Sequence, residues 1–96
     1  MKVVILRSAI RDLESGSFFY EAQQPGLGRY FMDSLLAEID TLSITGGVHR
    51  SVFGAHRSLA KIFPFAIYYS MTDDTVRVKA VLDCRRDPEW IKRRLS

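Results

Sequence analysis

The segment "TVRVKAVLDCR", residues 75–85, constrains the fold more than any other stretch of the chain. Val76, Val78, Ala80, Leu82 and Cys84 fall on one parity, and Arg77, Lys79, Asp83 and Arg85 on the other, interrupted by Val81. Alternate side chains of a strand point to opposite faces, so this pattern requires a sheet with one face buried and one charged. The stretch before it, "HRSLAKIFPFAIYYSM" at 56–71, adds two more strands, 57–63 and 65–71. Pro64 lacks an N–H and belongs at the reversal between them, and "TDD" at 72–74 has the composition of a tight turn. Arg57 and Lys61 share one parity and add to the charged face. Tyr68 and Tyr69 point to opposite faces, so one is expected in the core and the other outside.

The apolar face needs a cover, and the first half of the chain supplies two helices. Ser8 is a good N-cap for a helix over 9–24, whose stripe is Ala9, Leu13, Gly16 and Tyr20. Gly16 weakens that helix by about 1 kcal/mol relative to Ala, which suggests that another helix passes close there. Pro25-Gly26 ends it. A second helix over 27–45 carries Phe31, Leu35, Ile39 and Leu42 at i, i+4, i+8 and i+11, and ends at Gly46-Gly47. The short connection makes the two an antiparallel hairpin. "KVVIL" near the start is apolar on both parities and reads as a strand covered on both faces. The expected fold is α+β, in the order β-α-α-β-β-β, with the helical hairpin on one side of a mostly antiparallel sheet. The face bearing Val76, Val78, Ala80, Leu82 and Cys84 meets the hairpin, and the opposite face looks outward.

At 96 residues the chain is expected to be a single domain, 1–96. A hydrophobic content of 47% is too high for disorder. No run reaches the roughly 18 apolar residues of a membrane span, and "MKVVILR" is too short for a secretory core. The one cysteine, Cys84, cannot form an internal disulfide, and a reducing cytoplasm is the natural compartment. It reads as a small core residue on the apolar parity. His49, His56 and Cys84 have no zinc-like spacing, so no metal and no cofactor is expected. Charge is uneven. Residues 1–48 carry four cations against six carboxylates, a balance of −2, and residues 49–96 carry ten against five, a balance of +5. The second half is thus suited to an acidic partner.

Three blocks, "PGLGRYFMDSL", the cation before "FPFAIYY", and "VKAVLDCRRDPEWIKRR", together resemble the RelE/ParE superfamily, in this order and on this element sequence. These are toxins of bacterial type II toxin–antitoxin systems, often described as plasmid stabilisation proteins, and the likeness runs from about Ser8 to Arg94. The resemblance implies a cytoplasmic toxin held off by a cognate antitoxin in a hetero-oligomer. It also implies one of two activities: ParE-like inhibition of DNA gyrase, or RelE-like cleavage of mRNA on the ribosome. A relic that binds an antitoxin without toxicity is a third reading.

Fold does not choose between these activities; the site must. A nuclease needs cations for a phosphorane-like transition state and a group that moves a proton. Arg57, Lys61 and Arg85 match the general placing of the basic residues in RelE-like toxins. Where those toxins place a tyrosine after the final strand, this chain has Trp90, whose indole can donate but cannot shuttle a proton. His49 and His56 could titrate near neutral pH but occupy no catalytic position of the family, and they read as ordinary loop residues. Asp83 reads as a surface partner for Arg77 or Arg85. No confident catalytic residue emerges. "CRRDPEWIKRR" instead sets Trp90 among cations, as interface hot spots do, or else starts a short helix after Pro88 with Trp90 packed back on the sheet edge. The exposed parity of 75–85 offers no aromatic for base stacking, which argues against a stand-alone RNA-binding sheet. The residues expected to bind the target are Arg57, Lys61, Arg85, Arg86 and Trp90, with gyrase the favoured target and the ribosome and mRNA the alternative.

Overall fold

The computed structural model describes residues 1–96. Its elements are β1 (Lys2–Ile5), α1 (Arg7–Gln23), α2 (Leu27–Thr45), β2 (Ser51–Val52), β3 (Ala55–Leu59), β4 (Phe65–Thr72), β5 (Thr75–Asp83) and α3 (Pro88–Leu95). The five strands form one sheet in the order β1-β5-β4-β3-β2. Only the β1–β5 pair is parallel. The α+β order and the mostly antiparallel sheet are as the sequence predicts, with the two-residue β2 added and α3 following the last strand as the short helix after Pro88. β1 is a half-buried edge strand, not one covered on both faces.

The helical hairpin forms where two glycines let its backbones meet. A Cβ on Gly16 would lie 2.5 Å from the Phe31 ring, and one on Gly28 would lie 2.5 Å from the Ser17 carbonyl oxygen. The close approach anticipated at Gly16 is therefore present. Glu21 closes the connection, its carboxylate accepting the Gly26 and Gly28 N–H groups at 3.0–3.1 Å. Those donors belong to the otherwise unsatisfied start of α2. Phe31, Leu35, Ile39 and Leu42 are buried as their spacing requires.

The facing of β5 differs from the simple alternation. Tyr68 pairs with Ala80 and Tyr69 with Val78, so Lys79 has no partner on β4. This bulge reverses the parity of everything after it. Val76, Val78 and Val81 join the core beneath the hairpin, with Phe31, Leu35, Phe65, Ile67 and Tyr69. Ala80 and Leu82 face the other way, into a second core with Ala66, Tyr68, Ile91 and Leu95. Both Tyr68 and Tyr69 are consequently buried. The second face does not simply look outward, because α3 covers part of it. Cys84 lies past the end of β5 and is exposed, not a core residue.

The edge of β5 explains the start of α1. β1 ends at Ile5, opposite Val78, so farther along β5 the Lys79 carbonyl and the Val81 N–H meet no strand on that side. Ser8 donates its hydroxyl to the Lys79 carbonyl at 2.7 Å, and Asp12 accepts the Val81 N–H at 3.0 Å. Two helix side chains thus replace a missing strand. Ser8 is not the N-cap; that position is Leu6, which makes no side-chain cap.

Candidate functional site

The C-terminal segment builds the most featured surface. Asp87 caps α3 by accepting the Glu89 N–H at 3.2 Å, and Pro88 occupies the first turn, where its missing N–H costs nothing. Lys92, Arg93 and Arg94 fill the last turn, where cations suit the helix dipole. Ile91 and Leu95 are buried on the second core, and Trp90 packs half-buried beside it. The helix after Pro88 and the packing of Trp90 onto the sheet are as the sequence suggested.

Arg86 stands over the Trp90 ring, 3.7 Å from its centroid, in a cation–π contact. Arg85 grips Asp83 with two side-chain bonds of 3.0 and 2.7 Å, and its backbone N–H adds a third at 2.8 Å. These bonds hold the Asp83 carboxyl below its ordinary value, outweighing its partial burial. Arg94 reaches back across the molecule and places one nitrogen 2.6 Å from each carboxylate oxygen of Asp12. There the balance is opposite. Burial pushes the Asp12 carboxyl above its ordinary value despite the Val81 N–H and Arg94.

Between α1, the end of β5 and α3 lies a cleft of about 420 Å³. Gly16, Phe65 and Leu82 contribute apolar lining, Phe19 and Trp90 aromatic surface, and Asp12, Asp83, Arg86 and Arg94 its charges. Asp12 had no signal in the sequence. It sits 82 positions from Arg94, and only the fold brings them together.

Arg57 and Lys61 part company. β3 spans Ala55–Leu59 rather than 57–63, so Lys61 falls beyond it, and its backbone N–H donates to Glu38 on α2 at 2.6 Å. Lys61 lines a second, polar groove of about 390 Å³ with Thr41, Thr45, His49 and Ser58. Arg57 pairs across β3–β4 with Tyr68 and lies near Cys84, on the α3 side of the sheet. Burial raises the Tyr68 hydroxyl above its usual range, only partly offset by the Arg57 charge.

The histidines have structural work. The buried Tyr69 hydroxyl accepts the Gly47 N–H at 2.9 Å and pairs with His49 Nδ1, and the His56 ring stacks on Tyr69. His56 Nδ1 donates to the His49 carbonyl at 2.8 Å. Both rings therefore tie the segment between α2 and β2 to strands β3 and β4. No group of three or more His, Cys, Asp or Glu side chains is arranged to hold a metal ion.

Helices on one side of a mostly antiparallel sheet, with a basic C-terminal helix on the other, define an α+β fold that a solved structure shares. The particular likeness is to a chain in a solved structure titled "Chromosomal ParDE TA system from P. aeruginosa". The TM-score is 0.76 at 14% identity, over 84% of this chain and 92% of that one. No protein-family model matches the chain. No curated protein sequence matches it either.

Proposed function

We propose that the chain is the toxin of a bacterial type II toxin–antitoxin pair, acting as one domain over residues 1–96 in the cytoplasm and inhibiting DNA gyrase by binding it. The fold shared with a chain of a ParDE structure supports the toxin reading, and no helix here is long and apolar enough to cross a membrane. A cognate antitoxin is the partner that keeps it inactive.

One observation favours binding over cutting: the histidines lie apart from the exposed cations, and the carboxylate beside those cations, Asp83, is already held by Arg85. Arg85 and Arg86 are exposed beside Trp90, whereas His49 and His56 pack around Tyr69 on the hairpin side of the sheet. Tyr68 does neighbour Arg57 but is 2% exposed, and its hydroxyl holds its proton more firmly than usual. General acid–base catalysis needs such a group within hydrogen-bond reach of the substrate. Arg85, Arg86 and Trp90, with Arg57 on the same side, are the residues that grip the target; Lys61 contributes from a different surface.

Two assays test this. Purified chain should inhibit gyrase supercoiling and accumulate gyrase–DNA cleavage complexes, with mRNA intact in induced cells. Codon-specific mRNA cleavage with gyrase untouched would establish the RelE-like nuclease in its place. Unimpaired growth on expression of the chain alone would identify a relic that only binds an antitoxin.

A further inference from the structure

Tyr69 sits at the centre of a hydrogen-bond network that fixes where a proton lies. It is fully buried on the hairpin side of the sheet, and its hydroxyl has two partners, the Gly47 N–H and His49 Nδ1. A phenolic hydroxyl carries one proton. The arrangement that satisfies every group has it accept from Gly47 and donate to His49 Nδ1, so the His49 ring is neutral and protonated at Nε2. A second proton on that ring would aim an N–H at the hydroxyl and leave the buried phenolic proton without an acceptor. His56 differs, because its Nδ1 donates to the His49 carbonyl, a bond that neutral and charged rings both make. The charges around His49 come from several elements. Glu38 of α2 and Lys61 beyond β3 line the same polar groove, and Glu38, its one carboxylate, forms no ion pair. His56 faces His49 from β3, Arg50 follows it in the chain, and the chain's amino group rests on the Ser43 carbonyl near the end of α2.

We propose that His49 is a pH-sensitive latch: neutral, it closes on Tyr69, and protonated, it leaves for the Glu38 carboxylate in the groove. The proton binds the two states unequally, as a switch requires. Histidine changes charge between about pH 5 and 8, so the latch is closed above that window and released as pH falls through it. Release frees residues 46–50, between α2 and β2. That segment holds β3 at its outer edge, because the Arg50 carbonyl accepts the Arg57 N–H at 2.9 Å and the His49 carbonyl accepts His56. The latch stands on the fold alone. Its consequence for target binding, a loosened hold on the strand that carries Arg57, rests on the proposed function.

Nuclear magnetic resonance of the whole chain reads the latch without reference to toxicity. At about pH 8 the His49 ring should be the Nε2–H tautomer, and towards about pH 5 it should titrate together with the Gly47 and Arg57 amide shifts. Protection of those two amides from hydrogen exchange, corrected for the intrinsic rate at each pH, should fall about fivefold to tenfold, the worth of one hydrogen bond. His49→Gln keeps a carbonyl oxygen for the Tyr69 hydroxyl and should remove the transition, whereas His56→Gln should retain it. Glu38→Gln should move the midpoint to lower pH and Lys61→Gln to higher pH, by loss of an attracting and a repelling charge. An Nδ1–H ring at the alkaline end, unchanged protection, or a transition that survives in folded His49→Gln would overturn the latch. Target binding is read separately. Gyrase inhibition that weakens on acidification in the parent but not in His49→Gln would tie the latch to the grip, and equal inhibition by both would cut that tie. A chain that leaves gyrase alone at every pH would sink the gyrase reading and keep the latch.

Discussion

The two faces of the sheet are built to different standards. The hairpin face carries a core of fourteen buried residues under two helices of 17 and 19 residues. The α3 face carries seven buried residues under a helix of eight. The first is closed by interlocked aromatics, with the Tyr20 ring 4.8 Å from Phe63 and 5.2 Å from Phe31. The second is fastened at its far end by the Asp12–Arg94 pair. Burial scales with the apolar area removed from water, so the hairpin face holds most of the stability. The α3 face is left freer to carry exposed cations and an open cleft.

That contrast breaks most sharply with one charge placed on each face. Val78→Asp puts an unpaired carboxylate beneath the hairpin, at a cost of several kcal/mol that rivals the total stability. No cooperative thermal transition should remain. Ala80→Asp, two residues along but across the bulge, should displace α3 while the hairpin and sheet persist. Far-UV circular dichroism should then be mostly retained, with Trp90 emission shifted to that of an exposed indole. Equal unfolding by both would show that the two cores form one cooperative unit.

Cavities should follow the same order. Phe31→Ala removes a ring wedged between Gly16, Tyr20 and Phe65 and should cost about 3–5 kcal/mol. Ile91→Ala should cost about 2 kcal/mol, the low end for such changes, because a short surface helix can settle into the space. Urea denaturation of the two variants measures the difference, and a larger loss at Ile91 would invert the comparison.

The better-built face was also the more legible one. Its helices follow from the stripes Ala9–Leu13–Gly16–Tyr20 and Phe31–Leu35–Ile39–Leu42, where period and burial agree. The α3 face was harder to read for a physical reason. "AVL" at 80–82 is apolar on both parities, so nothing in the alternation marks the switch at Lys79. A two-residue strand such as β2 is below the length at which a period exists. The pairing of Asp12 with Arg94 depends on where β1 stops, which makes α1 complete the edge of β5. Of the candidate site, Arg85, Arg86 and Trp90 were visible as a local cluster. The separation of Arg57 from Lys61 was not, because it turns on strand β3 ending at Leu59.

The two ion pairs of the α3 face come last, and their pH dependence should have opposite signs. Asp12 has a folded-state pKa raised by burial, so the folded chain binds its proton more tightly than the unfolded chain. Stability therefore falls as pH rises from the unfolded value of about 4 through the raised one, and the full loss is in place above it. Asp12→Asn should remove that downward slope. It should also cost about 1–3 kcal/mol near neutral pH, since Arg94, half-buried, loses its charged partner. Asp83 has a folded-state pKa lowered chiefly by its bonds to Arg85. Its contribution is present above the unfolded value and is lost as pH falls through the folded one. Arg85 is 66% exposed, so solvent screens the pair, and Asp83→Asn should cost no more than about 1 kcal/mol. Thermal melts of the parent and both variants between about pH 3 and pH 7 separate the cases. If Asp83→Asn proved the more damaging at pH 7, the fastening of the α3 face would lie in the Arg85 turn, and the Arg94 tie would be incidental to it.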